Sequence, residues 1–429
     1  MRYNIIDNSF FIQNRKRLCE KLKPGSIAIF FANYQMPRNG DQYHSYRQNS
    51  DFFYLTGLEQ EKSILLIAPD AKTKELKEVL FILRSNKVLE IWEGHKLTVE
   101  EANEISGIDT IKFIEDFKSV FHSLTCEAKY ICSNVPELPK FNPEIASRDA
   151  DYATQLKIKY PLHQFERLAP VMQELRLIKS ETEITLIKEA IRITGNAFTK
   201  VLKEVQPGMK EYEIEAIIAY EFIRNGASGH AYAPIVASGK NACILHYTEN
   251  HNQCHTGELL LMDFGAEYAN YSADLSRTIP VNGKFTKRQL DLYNAALRVF
   301  NYARSLMIPG VTINSYHKLV CKMWEEEHIK LGLYTKEEAK KHKGENGLWY
   351  EYYMHGTSHF LGLDVHDLGT KDTKFEPGMV LTCEPGIYIQ KEGVGIRIEN
   401  DILITKDGNL DLMEDIPIEA EEIKNLMNS

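Results

Sequence analysis

The chain has 429 residues, of which 43% are hydrophobic and 26% charged, and a chain of this size and composition folds into roughly two or three globular domains. Its formal net charge is −9, which gives no electrostatic attraction for nucleic acid or for an anionic membrane surface. We therefore expect no nucleic acid and no membrane among its partners, and predict that it acts on small peptides or metabolites.

The cysteines and the amino-terminal segment indicate the compartment. Seven cysteines, an odd number, are scattered without a CxxC pair or a zinc-ribbon spacing, as in a protein whose thiols stay reduced. The first residues, MRYNIIDNSFFIQNRKRLCEKL, lack the basic region, long apolar run and cleavage site of a signal peptide. No later stretch has the apolar length of a membrane span. We predict a cytoplasmic protein.

The first third of the chain has the pattern of an α/β domain. Short apolar runs, SIAIFFA, SILLIAP and EVLFILR, precede the helix-like HKLTVEEANEIS, and this alternation is typical of strands covered by helices. The pattern breaks near Pro161 and Pro170, which bracket a short polar stretch. We predict a non-catalytic α/β domain over residues 1–170 and a second domain over residues 171–429.

The second domain contains a weak internal repeat. The sequence Ser180-Glu181-Thr182-Glu183 has the form of a capping box and predicts the start of a helix. That helix should end at Pro207-Gly208, and a second should end near Asn225-Gly226. About a hundred residues later, two helical patterns again flank Pro309-Gly310. Two similar α/β halves would face each other, with a cleft between them suited to a site.

Two acidic residues stand at the ends of apolar runs in the first half of this repeat. Asp263 ends the run LLLM, and Asp274 follows Tyr-Ser-Ala. Gly265 and Asn270, between them, can shape a hairpin. An antiparallel pair of strands would then set the two carboxylates side by side.

Three further residues stand in similar contexts in the second half. His359 lies in HGTSHFLGLDVHD, Glu384 follows VLTC, and Glu399 follows GIRI. A carboxylate at an apolar strand end has to be paired, protonated or bound to metal, because burying it bare costs several kcal/mol. Four carboxylates and one imidazole in one cleft are best accommodated by two divalent ions about 3.5–4 Å apart. The oxygen-rich set favours Mn²⁺, while the imidazole also suits Zn²⁺, Co²⁺ and Fe²⁺.

Each of these residues, taken alone, has an ordinary structural interpretation. Asp263 before Phe-Gly could form a turn, and Glu384 before Pro-Gly could be a solvated turn residue. Arg397 and Glu399 could form a surface ion pair on an alternating strand, which contributes little stability. His355, His359 and His366 could be common surface or core histidines. The hypothesis of a metal site depends on the set and on no single member.

Four segments carry a resemblance to a known family. The strings LMDFGAEYANYSADLSRTIP, YYMHGTSHFLGLDVHD, GMVLTCEPGIYI and GVGIRIEND resemble, in order and spacing, the metal-binding segments of the metallopeptidases that include methionine aminopeptidase, proline dipeptidase and aminopeptidase P. They look most like aminopeptidase P, and YRQNSDFFYLTG resembles its amino-terminal domain. The resemblance implies an α/β amino-terminal domain followed by a catalytic domain of the pita-bread fold, whose two halves are related by a pseudo-twofold axis.

The resemblance also implies roles for matching residues. Asp263 would hold one metal, Asp274 and Glu399 would bridge both, and His359 and Glu384 would complete the other. Other residues would form the substrate side of the cleft: His246 near the substrate amine and scissile carbonyl, His355 and His366 as further cleft histidines, and Arg397.

The implied activity is hydrolysis of the amino-terminal Xaa-Pro bond of peptides by a hydroxide that bridges the two metals. Glu384 would relay a proton, His366 would stabilise the oxyanion, and the free substrate amine would fix the cut after the first residue. The partners would be peptides with proline in second position. The resemblance further implies a homodimer or homotetramer.

Three alternatives stay open from the sequence. The first is a proline dipeptidase, with the same metals and a two-residue substrate. The second is a creatinase-like hydrolase without metals, which the five filled ligand positions disfavour. The third is a non-catalytic binding protein that keeps the pita-bread shape, for which the loss of one or more ligands is expected and none is seen.

Overall fold

The computed structural model describes residues 2–138, 144–344 and 346–429. The chain divides into two compact units, Tyr3–Arg176 and Leu177–Ser429, with Arg2 counted with the second. The predicted domain boundary after residue 170 falls inside the helix Ala169–Leu177, so the ranges 1–170 and 171–429 stay a prediction.

The amino-terminal unit is built on a six-stranded mixed sheet. The three apolar runs identified in the sequence form its buried strands β1, β4 and β5, which lie next to one another in the antiparallel order β5-β4-β1. Parallel strands extend the sheet at both edges, giving the order β6-β5-β4-β1-β7-β8. The helices and strands are α1 Asn8–Lys21, β1 Ser26–Phe31, β2 Pro37–Asn39, β3 Gln42–Tyr43, α2 Ser50–Thr56, β4 Ile64–Ile67, β5 Glu78–Ile82, α3 Lys87–Glu93, α4 Val99–Ser106, β6 Ile111–Phe113, α5 Phe117–Glu127, β7 Tyr130–Ser133, α6 Arg148–Lys159, β8 Gln164–Arg167 and α7 Ala169–Leu177.

The second unit begins with the helix pair and strands of its first half. Ser180 caps α8 and forms the predicted capping box with Glu183, which confirms the helix start. Pro207 and Gly208 separate α8 from α9, as the sequence predicts, because proline removes a backbone donor and glycine tolerates positive φ. The elements are α8 Glu181–Glu204, α9 Glu211–Arg224, β9 Gly229–His230, β10 Ile235–Ser238, β11 Leu259–Phe264, β12 Ala266–Tyr268, β13 Tyr271–Ser272 and β14 Leu275–Pro280.

The second half repeats this order of two helices followed by strands. Pro309 and Gly310 lie between α10 and α11, so the predicted repeat of helix, Pro-Gly break and helix is confirmed. None of the described helices is long and apolar enough to span a membrane. The elements are α10 Lys287–Ser305, α11 Ile313–Lys330, α12 Lys336–Lys341, β15 Val380–Cys383, β16 Gly386–Ile389, β17 Val394–Arg397, β18 Asn400–Thr405, β19 Gly408–Asp411 and α13 Ala420–Met427.

The strands that carry the acidic residues are antiparallel, but the hairpin differs from the prediction. β11 pairs with β14 so that Asp263 lies opposite Ser276. The chain between them forms an extra hairpin, β12–β13, whose turn residues Ala269 and Asn270 have φ of 49° and 63°, the signature of a tight type I′-like turn. A glycine is required at position 265, next to this hairpin, because a Cβ there would lie 1.7 Å from the carbonyl oxygen of Ala273.

Candidate metal centre

Two strands of the first half bring Asp263 and Asp274 together. Asp263 lies on β11, and Asp274 lies directly before β14. The hydroxyl of Tyr232 connects them, at 2.6 Å from Asp263 Oδ1 and 2.5 Å from Asp274 Oδ1. Burial, followed by the charges of both carboxylates, raises the pKa of Tyr232 well above its usual value, so the phenol stays a donor.

The second half supplies the other three predicted ligands. Glu399 lies between β17 and β18, and Ser276 Oγ donates a hydrogen bond to its Oε2 over 2.6 Å. His359 Nε2 lies 3.3 Å from Asp274 Oδ2 and 3.9 Å from Glu384 Oε1. Among the described residues, Asp274, His359 and Glu399 offer ligand atoms that all lie within 4.8 Å of one another. The ligands predicted from both halves therefore meet in one place.

The electrostatics of this cluster suit divalent cations. The pKa values of Asp274, Glu384 and Glu399 are raised well above the ordinary range, first by burial and then by the neighbouring carboxylates. Positive charge between them would relieve this repulsion. His359 Nδ1 donates to the carbonyl oxygen of Phe360 over 3.0 Å, so Nε2 is the ring nitrogen available to a metal ion. The donor set thus fits divalent metal.

Arg397 is the buried cation of the site. Its Nη2 donates to Asp263 Oδ2 over 2.5 Å, its Nε to Ser276 Oγ over 2.8 Å, and its Nη1 to Tyr388 Oη over 3.0 Å. Arg397 is 4% exposed. The interpretation of this strand as an exposed one with a surface ion pair is therefore wrong, because the guanidinium is desolvated and held by three separate groups.

His355 extends this network on the side of Tyr388. His355 Nδ1 lies 2.8 Å from the carbonyl oxygen of Gly356, and its Nε2 lies 2.8 Å from Tyr388 Oη. Burial, followed by the charge of Arg397, lowers the pKa of His355 to about 3. The imidazole is therefore neutral. It donates a hydrogen bond through Nδ1 and accepts one from the tyrosine hydroxyl at Nε2. His355, Tyr388 and Arg397 form a continuous chain that ends at Asp263.

The two remaining predicted histidines lie differently. His366 is exposed, and its ring centroid is 4.4 Å from that of His359. His246 is also exposed, and the hydrogen bonds and ion pairs that join the cluster in the described part of the chain do not include it. Its neighbours Leu245 and Tyr247 pack in the hydrophobic cluster that contains Tyr388. The segment around His246 is thus connected to the site through the packing of these two neighbours.

Three polar residues of the site were missed by the sequence analysis: Tyr232, Ser276 and Tyr388. Ser276 carried a usable signal, since it follows Asp274 by two residues and so shares its face of an extended segment. Tyr388 follows Gly386 by two residues in β16 and so lies on the same face of that strand. Tyr232 lies 31 and 42 residues from the carboxylates it contacts, and no local pattern marks it.

Replacing Tyr232 by phenylalanine is expected to weaken metal binding by about 10- to 100-fold, because the hydroxyl orients two ligands at once. Calorimetric titration of the metal-free protein measures this. Tyr220→Phe is the control, since Tyr220 is 57% exposed on α9. Equal metal affinity in the Tyr232→Phe variant and the wild type would show that Asp263 and Asp274 are held in place without it.

Comparison with known proteins places this site in a family. The sequence profile described as metallopeptidase family M24 matches residues 185–406, a range that contains all five candidate ligands. The chain belongs to metallopeptidase family M24. The profile of the aminopeptidase P amino-terminal domain matches residues 11–132, so this M24 member also carries that accessory domain.

Relatives of this M24 protein match it from end to end. It is 36% identical to the Xaa-Pro aminopeptidase of Escherichia coli K12, with 98% of each chain covered. It is 35% identical to the Xaa-Pro aminopeptidase of Haemophilus influenzae, with 97% of each covered. Zinc-substituted E. coli aminopeptidase P in complex with product superposes with a TM-score of 0.88 at 35% identity, covering 99% of each chain.

These comparisons confirm the predicted family and fold class. The M24 protein has an aminopeptidase P type amino-terminal domain and a carboxy-terminal pita-bread domain. As a member of this metallopeptidase family it is an enzyme, a hydrolase that uses divalent metal. The hypothesis of a non-catalytic binding protein is therefore wrong.

Proposed function

We propose that the protein is an Xaa-Pro aminopeptidase, which removes the first residue from peptides with proline in second position. The observation that carries this proposal is the similarity to Xaa-Pro aminopeptidases over 97–98% of both chains, accessory and catalytic domains alike. This activity acts on a peptide bond that many other peptidases cannot cleave. The amide nitrogen of proline has no hydrogen, so peptidases that require a hydrogen bond from that nitrogen cannot use such substrates.

We propose that two divalent ions, most suitably Mn²⁺, occupy the cluster. Asp263 would hold one, His359 and Glu384 the other, and Asp274 and Glu399 would bridge them, an assignment supported by the convergence of the last two with His359. Bound there, the ions would polarise the scissile carbonyl and supply a nucleophilic oxygen at neutral pH. The oxygen-rich donor set supports Mn²⁺, although the zinc-substituted relative shows that such a protein also accepts zinc.

The side chains around the cluster have complementary tasks in this proposal. Glu384 Oε2 lies 3.6 Å from His355 Nδ1, and in this proposal the carboxylate takes up a proton and delivers it to the departing proline nitrogen. His366 stabilises the oxyanion of the tetrahedral intermediate. His246 positions the substrate near its amine and scissile carbonyl. Arg397 fixes Asp263 and Tyr388 and so shapes the substrate side.

Alanine at His246 or His366 is expected to lower kcat by about a hundredfold or more. Metal content should stay at the wild-type level, because neither imidazole is among the proposed ligands. Steady-state kinetics on an Xaa-Pro peptide and elemental analysis measure the two quantities. His342→Ala is the control, as His342 is an exposed histidine beyond the end of α12. Wild-type kcat in both folded variants would show that these histidines have other roles.

A panel of peptides tests the function against the proline dipeptidase alternative. Xaa-Pro-Yaa tripeptides and longer peptides are expected to be cut at the Xaa-Pro bond at least as well as Xaa-Pro dipeptides, because an open cleft gains binding energy from added residues. Exchanging the second-position proline for alanine should cost about 10- to 100-fold in kcat/KM if the pocket fits the ring. Cleavage of dipeptides alone would favour the dipeptidase, whose closed site captures the terminal carboxylate.

We also propose a cytoplasmic location and a homodimeric or homotetrameric assembly. The location is supported by the cysteines, since all seven lie within the described residues and are free thiols. The assembly is an implication of the resemblance to aminopeptidase P. Light scattering on the purified protein measures it directly.

A further inference from the structure

Glu211 is a fully buried carboxylate outside the metal centre. It is the first residue of α9 and is 0% exposed. Its Oε1 accepts hydrogen bonds from Ser238 N at 2.7 Å, Ser238 Oγ at 2.7 Å and Asn241 Nδ2 at 3.2 Å. Its Oε2 accepts from Tyr247 Oη at 2.8 Å and Asn252 N at 2.9 Å. Five donors on one buried side chain indicate a structural requirement for an ionised acceptor.

The donors come from both sides of His246. Ser238 ends β10, Asn241 lies in the short 3₁₀ helix Gly239–Cys243, and Tyr247 and Asn252 follow His246 in the chain. We name residues 238–252 the His246 loop. Hydrogen bonds from the beginning, the middle and the end of this loop converge on the Glu211 side chain at the start of α9. The backbone N–H of Glu211 also donates to the carbonyl oxygen of Asn252 over 2.9 Å, which closes the loop.

The His246 loop also packs against the hairpin β16–β17, which carries Tyr388 and Arg397. A Cβ at Gly395 would lie 2.1 Å from the carbonyl oxygen of Ala242, so the two backbones are in direct contact. Gln390 Nε2 donates to the carbonyl oxygen of Cys243 over 3.2 Å. Tyr247 shares its hydrophobic cluster with Tyr388. The position of the loop is therefore coupled to the substrate side of the site.

We infer that Glu211 is a positioning residue that holds the His246 loop so that His246 faces the substrate. This inference rests on the proposed function and on the role proposed there for His246. The five donors require a carboxylate at this position, which an amide cannot replace. Each oxygen faces at least one nitrogen donor, Ser238 N and Asn241 Nδ2 on one side and Asn252 N on the other. A glutamine would set its own NH₂ against one of them in either orientation.

Kinetics of the Glu211→Gln variant test the inference. We expect kcat/KM for an Xaa-Pro tripeptide to fall by about 10- to 100-fold with metal content unchanged. In a His246→Ala background the same substitution should cost less than about twofold, because residues that act through one group are not additive. Glu215→Gln is the matched control on the same helix, since Glu215 accepts one hydrogen bond from Asn250 Nδ2, which an amide oxygen also accepts. An undiminished effect in the His246→Ala background overturns the inference.

Tyr247→Phe is the milder second variant. It removes one of the five donors and keeps the ring in its hydrophobic cluster, so it keeps the test valid if Glu211→Gln does not fold. We expect a loss in kcat/KM of about three- to tenfold in the wild-type background and less than about twofold with His246→Ala. Wild-type kinetics in this variant overturn the inference.

Hydrogen exchange separates this inference from the proposed function. Loosening the loop should speed amide exchange in residues 239–250 and leave β14 and β18 unchanged. If the wild type cleaves no Xaa-Pro peptide, the proposed function fails. Hydrogen exchange then remains as the test of whether Glu211 holds the His246 loop in place. Unchanged exchange in Glu211→Gln or Tyr247→Phe overturns the inference whatever the substrate.

Discussion

Exhaustive chelation is expected to abolish Xaa-Pro hydrolysis, and Mn²⁺ is expected to restore it. The four acidic candidate ligands lie with one imidazole in a partly buried cluster where three pKa values are already raised, so the site favours positive charge. Without the ions, the carbonyl is not polarised and no strong nucleophile forms at neutral pH. Activity assays after chelation and after titration with Mn²⁺, Zn²⁺, Co²⁺ and Fe²⁺ measure both the loss and the preferred metal.

Two controls make this result specific. Circular dichroism should show that the chelated protein stays folded, so that lost activity reports the site. Glu399→Gln should stay inactive when Mn²⁺ is added, because Glu399 is one of the two proposed bridging ligands and a neutral amide is a poor bridge. Full activity after complete metal removal would contradict the dinuclear mechanism.

Acetylating the substrate amine is expected to stop cleavage completely. The proposed anchor of the first residue is its free amine, which binds beside a cluster of carboxylates that Arg397 only partly offsets. An amide nitrogen there has neither a lone pair for coordination nor a charge for the carboxylates. Mass spectrometry on matched peptides, free and acetylated, measures the difference.

A carboxyl-terminal methyl ester of the same peptide is the natural control, since it changes the other end and leaves the amine free. It should be cut at the Xaa-Pro bond as the free acid is. Internal cleavage of the acetylated peptide would show that the amine does not set the position of the cut.

The sequence singles out the candidate ligands because their signal is local. Asp263 and Glu384 end or follow runs of buried apolar residues. A carboxylate in such a place has to be paired with a cation, protonated or bound to metal. The pairing of the strands is less predictable. Gly265 and Asn270 do indicate a turn, but the extra hairpin β12–β13 forms between β11 and β14, so Asp263 lies opposite Ser276. Turn residues mark where the chain bends and leave the register open.

The supporting polar network is not predictable in the same way. Tyr232 and Glu211 make their contacts with residues 27 or more positions away in the chain, and side chains in loops and helix starts follow no period. Glu211 has the pattern of an ordinary acidic residue in the first turn of a helix, and its burial shows only in the fold. Arg397 has the pattern of an exposed strand residue, and the guanidinium turns inwards because Asp263, Ser276 and Tyr388 surround it.

The contact between Ser276 and Glu399 has a consequence for the order of folding. The two residues form an isolated antiparallel bridge and are 123 residues apart in the chain. Closing so long a loop is slow, because its entropy is lost before the contact forms. We therefore expect the candidate ligands to meet late, after each half has folded, so that metal would bind an essentially native chain. Added metal should thus lengthen the lifetime of the folded state and leave the rate of folding nearly unchanged.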